Sequence, residues 1–269
     1  MRLSEETGPS RDLQGRRAII TGGGSGLGFI FADALAAAGA DVVICGRRTE
    51  VIQAAAEQLA RHGVAAEGHA FDLSRPEEID RFKAAVGETD ILINNAGYSI
   101  RRDSWLEVTA AEWQEVMNIN LMAPFLLAQR FVPGMMERGF GRVVNLSSVY
   151  GLVGANPDHY PDMASDNTSY VASKHALIGL TKNLALRVAH AGVTVNTLSP
   201  GMFVGETRQA RTDGVVPGQK TGELLLKEIP LRRFGREADL RGLITFIAGE
   251  GSAYITGHTF VVDGGFTVG

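Results

Sequence analysis

A single cysteine, Cys45, stands in the 269 residues, so no intramolecular disulfide can form and nothing points to an oxidising compartment. It follows Val42-Val43-Ile44 and is expected to pack as a small hydrophobe. The chain also lacks a basic block: 26 Lys and Arg against 30 Asp and Glu leave a formal net charge of -4, which argues against nucleic acid as the main partner. No apolar run reaches the 18 or so residues of a membrane helix, and the opening MRLSEETGPSRD has no apolar segment of a secretion signal. The six histidines fall at no metal-ligand spacing, so no metal is expected. These absences lead to the expectation of a cytoplasmic protein with no membrane partner and a loose polar tail over about residues 1–12.

What is present is ordinary globular composition, 45% hydrophobic and 21% charged, in a chain long enough to bury an ample core. Short β-rich runs are expected as strands at Arg17–Thr21, Val42–Cys45, Val64–Ala70, Ile91–Ile93, Arg142–Leu146, Thr194–Leu198 and Thr259–Val262. Several of them (VVIC, ILI, RVVNL) are continuously apolar, as strands buried on both faces are. Ala-rich helical stretches alternate with them, and three of these end at glycines that suit a left-handed stop, Gly39, Gly63 and Gly192. Strict alternation implies an α/β fold, a doubly wound, parallel, seven-stranded sheet flanked by helices. No linker or repeat divides it, so one domain is expected over 13–269. Ligands of such sheets bind at the carboxyl ends of the strands.

Directly after the first strand comes Thr21-Gly22-Gly23-Gly24-Ser25-Gly26-Leu27-Gly28, opening into a helix. Backbone amides freed by glycines, with the helix dipole, would cradle a pyrophosphate; a plain tight turn is the alternative. No Lys-Ser/Thr follows Gly28, so it is not a Walker loop, and no register gives G-x-G-x-x-G. It reads T-G-x-x-x-G-x-G. Further along stand Asn94-Asn95-Ala96-Gly97, Asn118-Ile119-Asn120, Ser147-Ser148, Tyr170-x-x-x-Lys174 and Ser199-Pro200-Gly201. These six motifs, in this order, resemble the short-chain dehydrogenase/reductase family from Arg17 to the end of the chain. The resemblance implies a single-domain Rossmann fold and an oxidoreductase acting on a small-molecule alcohol or ketone with a nicotinamide cofactor.

The second strand ends Ile44-Cys45-Gly46-Arg47-Arg48. Gly46 stands where the family's NAD-preferring members carry aspartate, and the Arg47 guanidinium can form paired hydrogen bonds with a phosphate. NADP(H) is therefore expected ahead of NAD(H), with Arg47 as the main contact; a solvated arginine pair is the alternative. The resemblance places Asp72 on the adenine amino group with Leu73 beside it, though Asp72 could instead cap the next helix, where Ser74 is the better-placed cap. Asn95, Ala96 and Gly97 would allow close approach to the adenosine ribose. Gly22, Ser25, Gly26, Leu27 and Gly28 would hold the phosphates, and Pro200, Gly201 and Phe203 would complete the cofactor site.

Protonating the alkoxide that hydride transfer builds calls for an acid, and the reverse reaction calls for a base. A tyrosine can serve both directions only if its pKa falls well below about 10, which a lysine one helical turn away favours. Of the five tyrosines, Tyr150, Tyr160 and Tyr254 are followed four positions later by Gly154, Ala164 and His258. Tyr98 has Arg102 there but lies outside a clear helical pattern. Only Tyr170 has a lysine, Lys174, and it is expected to be the acid/base. By resemblance Lys174 also meets the nicotinamide ribose, Ser148 holds the substrate oxygen, and Asn120 binds a water that relays protons to Lys174.

The substrate is less legible. A lid is expected over about 202–229; Thr207 would meet the cofactor carboxamide by resemblance, although it lies later than usual. Arg101, next to Arg102, could bind a substrate carboxylate, as a sugar-acid or gluconate-type dehydrogenase needs; a solvated or subunit-contact pair is the alternative. A homotetramer is implied by resemblance only. Ser148 and Tyr170 stand 22 positions apart, roughly nine more than the family usually allows, so an insert at about 155–167 is expected to bulge outward and return. It is either a solvated bulge or one wall of the substrate cleft, with Tyr160 or His159 facing the ligand. In the second case Asp158, Asp162 and Asp166 would disfavour an anionic substrate. A non-catalytic NADP-binding regulator is the reading from another class, and the intact Asn120, Ser148, Tyr170 and Lys174 set argues against it.

Overall fold

The computed structural model describes residues 12–161, 164, 166–203 and 219–268. Seven strands, β1 (Arg17–Thr21), β2 (Asp41–Gly46), β3 (Ala66–Ala70), β4 (Ile91–Asn94), β5 (Gly141–Leu146), β6 (Val193–Pro200) and β7 (Thr259–Val262), form one parallel sheet. Their order is β3-β2-β1-β4-β5-β6-β7. Every expected strand is present, and one is shortened: β3 begins at Ala66 rather than Val64, where the Asp41 carboxylate takes the amide of Ala65. Six of the seven expected runs therefore needed no more than extension by a few residues. Among the described residues no helix is long and apolar enough to cross a membrane.

The helices are α1 (Gly26–Ala37), α2 (Thr49–Leu59), α3 (Pro76–Val86), α4 (Ala110–Met117), α5 (Ala123–Glu137), α6 (Thr168–Val188), α7 (Lys220–Glu228) and α8 (Ala238–Ala248). Gly39, Gly63 and Gly192 all take positive φ where helical segments stop. Continuous apolar strands serve both faces of the sheet by alternation. Ala18, Ile20, Val42, Ile44, Ile91 and Ile93 pack under α1, α2 and α8. Ile19, Val43, Cys45, Leu92, Val143 and Val195 pack on the other side under α3, α5 and α6. Cys45 is fully buried, and burial pushes its thiol up to about 12, so it packs as the small hydrophobe expected.

Strand order reverses between β1 and β4, where successive crossovers leave in opposite directions and the carboxyl ends open into a crevice. A third, smaller apolar cluster roofs that end of the sheet: Val149, Tyr150, Tyr160, Met202, Leu225, Ile229 and Phe234. Of the expected tail and lid, residues 1–11 and 204–218, including Thr207, lie outside the described residues.

Candidate active site

The turn after β1 passes through Gly22, at a φ of +65° that disfavours a side chain. A Cβ at Gly28 would lie 2.3 Å from the Gly22 carbonyl oxygen and 2.4 Å from Asn95 Nδ2, so only hydrogen fits. This loop is tied to the one after β4. Asn95 Nδ2 donates to the Thr21 and Gly22 carbonyls at 2.8 and 3.3 Å, and Thr21 Oγ1 accepts from the amides of Asn95 and Ala96 at 3.0 and 2.9 Å. The side chain of Ser25 makes no cap bond to α1, which leaves the helix N-terminus to an outside anion.

A cavity of about 590 Å³ opens beside this cradle, lined by Gly22, Gly24, Ser25, Gly46, Arg47, Arg48, Asp72, Leu73, Asn95, Ala96 and Gly97 among others. Arg47 and Arg48 are exposed at its rim, and among the described residues neither has an ion-pair partner. Asp72 Oδ1 accepts from the amide and hydroxyl of Ser74, at 3.1 and 2.8 Å. Ser74 therefore does not cap α3, whose N-cap position is Arg75 with no side-chain bond.

A second cavity of about 530 Å³ shares Ser25, Asn95, Gly97 and Tyr98 with the first, and its lining includes Leu27, Gly28, Arg101, Ser148, Tyr150, Asn167, Tyr170, Lys174, Pro200 and Gly201. Tyr170 lies in the first turn of α6 and Lys174 one turn on. Lys174 is 3% exposed; its Nζ donates to the Leu146 carbonyl at 2.6 Å and lies 5.4 Å from the centre of the Tyr170 ring. Burial lowers its pKa to about 8. Ser148 Oγ accepts from the Tyr150 amide at 3.2 Å.

Two features hold α6 to the sheet. Ser147 Oγ donates to the Lys174 carbonyl at 2.9 Å. Beneath it runs a buried polar ladder: Asn94 Nδ2 donates to Asn145 Oδ1 at 2.8 Å, Asn145 Nδ2 to Thr181 Oγ1 at 2.9 Å, and Thr197 Oγ1 to Thr181 Oγ1 at 2.9 Å. Asn120 sits in a turn of wide, π-type helix at Asn118–Met122, a distortion that often marks functional sites. Its Oδ1 accepts from the Tyr98 amide, and its Nδ2 donates to the Tyr98 carbonyl and Ser173 Oγ. Gly97 lies between groups: a Cβ there would be 3.6 Å from both Asn120 Oδ1 and Lys174 Nζ.

Of the expected site residues, Gly26, Asn120, Phe203 and Tyr160 line neither of these cavities. The Phe203 ring packs in the core against Gly235, where a Cβ would lie 2.4 Å from it. Tyr160 does not face the cleft either. It is 2% exposed in the apolar roof, with its phenol bonded to that of Tyr150. The described part of the insert leaves the fold and returns to it: Asn156, Pro157, Asp158 and Pro161 are exposed, while Tyr160 is buried. Arg102 and Asp166 exchange backbone hydrogen bonds at 3.1 and 3.0 Å, and burial of the Tyr160 ring draws the segment back onto the fold. Neither described aspartate of the expected acidic wall lines the second cavity. Asp158 is exposed, Asp166 accepts from the amide and hydroxyl of Thr168, and Asp162 lies outside the described residues. Among the described residues the charged groups of the second cavity are Arg101 and Lys174, with no carboxylate.

Tyr98, Ser99, Tyr150 and Asn167 line this cavity without having been singled out for it. Tyr150 and Asn167 had a signal, since they immediately flank Ser148 and α6; Asn145 and Thr181 had none, because the ladder exists only once strands are aligned. Among the described residues no group of three or more His, Cys, Asp or Glu is arranged to hold a metal ion. A cradle that a Cβ at Gly28 would fill, two unpaired guanidinium groups at one end and a phenol beside an ammonium at the other fit the phosphates and the ends of the expected dinucleotide.

Comparison with known proteins gives concordant matches. A family model described as enoyl-(acyl carrier protein) reductase matches residues 22–267. The 2-dehydro-3-deoxy-D-gluconate 5-dehydrogenase of Bacillus subtilis is 35% identical over 258 residues, 94% of this chain and 95% of that protein. The 3-oxoacyl-[acyl-carrier-protein] reductase FabG of Escherichia coli is 32% identical over 259 residues, 94% and 98% of the two chains. The crystal structure of a gluconate 5-dehydrogenase from Burkholderia cenocepacia in complex with NADP and tartrate superposes with a TM-score of 0.83 at 33% identity, covering 96% of this chain and 98% of that one.

A pH-dependent stability follows from the buried ammonium. The pKa of Lys174 is about 8 in the fold, below its ordinary value of 10.5. The unfolded chain therefore binds more protons than the folded one between these values, and the penalty for burying the charge is full below about pH 8 and relieved as pH rises to 10.5. Stability of the wild type relative to Lys174→Met should rise by roughly 3 kcal/mol across that window, read by urea unfolding at several pH values. A difference that stays flat with pH would contradict the burial of a charge.

Proposed function

Because the chain belongs to the short-chain dehydrogenase/reductase family and is an oxidoreductase, we propose that it transfers hydride between NADP(H) and a secondary alcohol or ketone, with Tyr170 as acid/base. What supports this most is that Tyr170, Lys174 and Ser148 open on one cavity that runs into the glycine cradle. The bound nicotinamide would supply or accept the hydride, and the chain's own groups manage the proton. Tyr170 gives its phenol proton to the carbonyl oxygen during reduction and takes it back during oxidation. Lys174 favours the phenolate by its charge and reaches the nicotinamide ribose. Ser148, already accepting from Tyr150, donates its O–H to the substrate oxygen. Asn120 and Lys174, brought together across Gly97, pass the proton on toward solvent.

NADP(H) rather than NAD(H) is favoured by Arg47, which lies at the rim of the first cavity with no ion-pair partner among the described residues, and by the solved relative with NADP bound. Asp72, which accepts from Ser74 through Oδ1 and lines the first cavity, takes the adenine amino group in this reading. The second reading, a sugar-acid dehydrogenase, gains from a specific observation. The cavity beside Tyr170 carries Arg101 and Lys174 with no carboxylate among its described lining, and relatives of comparable identity are dehydrogenases of gluconate-type acids. An anionic substrate suits that lining. A cytoplasmic homotetramer belongs to the same reading, supported by family resemblance alone.

Tyr170→Phe should abolish turnover of any accepted ketone, followed by NADPH absorbance, while NADPH binding survives; retained activity would remove Tyr170 from the mechanism. Arg47→Asp should lower the NADP-over-NAD preference in kcat/KM by roughly tenfold to a hundredfold, the worth of hydrogen bonds to a charged group. An unchanged preference would reassign the phosphate contact.

A further inference from the structure

Arg101 is a half-buried cation at the substrate cavity, and among the described residues no carboxylate meets it. A flexible arginine in that position would ordinarily lose rotamer freedom on meeting a ligand. Here it is held beforehand. Its guanidinium carbon lies 4.9 Å from the centre of the Tyr160 ring, and Nη1 reaches the Ala164 carbonyl at 3.5 Å. Both partners belong to the insert, which is clipped by its backbone to Arg102 next door. Tyr160 is itself fixed, 2% exposed and bonded through its phenol to Tyr150, another lining residue of the cavity.

We infer that Tyr160 is a positioning residue: its ring holds the guanidinium of Arg101 at the substrate cavity, where Arg101 takes the carboxylate of the substrate. This rests on the sugar-acid reading above. An aromatic face attracts a guanidinium laid against it and leaves the N–H donors at the guanidinium edge, which is where paired bonding to a carboxylate takes place. Tyr160 never touches the substrate. The insert thus acts on specificity from behind, by delivering a ring to an arginine that a nearby strand end supplies.

The test uses gluconate and its uncharged amide, gluconamide, as paired substrates oxidised with NADP, in the wild type and four variants. The wild type should prefer the carboxylate in kcat/KM by about tenfold or more, as expected for a charge-assisted bond, and Arg101→Met should erase that preference. No preference in the wild type, or no turnover of gluconate, overturns the sugar-acid reading and this inference with it. Tyr160→Leu should lose most of the preference through a raised KM for gluconate, with kcat and the constants for the amide within about twofold of wild type. Tyr160→Phe keeps the ring and should keep the preference. If Arg101→Met loses the preference while Tyr160→Leu retains it, the positioning role is wrong and the sugar-acid reading stands. Equal loss on both substrates in Tyr160→Leu, with NADPH affinity intact, would make the tyrosine merely structural. Where NADPH fluorescence shows that the leucine variant has not folded, Tyr160→Met, which fills the space without an aromatic face, is judged by the same outcomes.

Discussion

Lys174 carries a charge into the interior between β5 and α6, and among the described residues no carboxylate meets it. Among the described residues its ammonium bonds to the neutral Leu146 carbonyl. Burying an ammonium this way is costly, and it persists only if the surroundings hold α6 firmly against the sheet. The rest of the site follows from that requirement. Ser147 grips the Lys174 carbonyl, and the ladder through Asn94, Asn145, Thr181 and Thr197 joins three strands to the helix. Asn120 approaches from the other side, bonded to both backbone groups of Tyr98 and to Ser173. A cation held so near a phenol and screened from water acts strongly on it, which is the condition acid/base work by tyrosine needs.

The fold was legible because the inner strands of the parallel sheet are buried on both faces and several read as unbroken apolar runs between helical stretches. Tyr170 and Lys174 were legible for a different reason, since a four-residue spacing on a helix is local. Side-chain placement was less legible, because a position can meet a partner other than the one its place in the sequence suggests. Phe203 looked like a cofactor contact by its place after Pro200-Gly201, yet Gly235, 32 positions later in the chain, offers its ring a slot in the core. Ser74 looked like a helix cap, but the Asp72 carboxylate two residues back competes for it.

The insert shows the same limit more sharply. Three aspartates and no basic residue suggested an acidic wall, whereas Asp166 spends its carboxylate on Thr168 and Asp158 faces solvent. What the insert contributes is the tyrosine among them. Its ring is buried under α7, and its far side meets Arg101. Charge pattern in a loop says little about the charge of the cavity next to it; the cavity's charge is set by side chains that turn inward, here Arg101 and Lys174.

The central claim, that the buried Lys174 ammonium makes Tyr170 an acid/base, is tested most directly by observing the phenol itself. Carbon NMR of the protein labelled at the tyrosine Cζ positions resolves five tyrosines, and the signal missing from Tyr170→Phe belongs to Tyr170. In the wild type that signal should titrate well below the ordinary phenol value of about 10, and in Lys174→Met it should move back up toward it. A Tyr170 signal that titrates near 10 in both proteins would contradict the account.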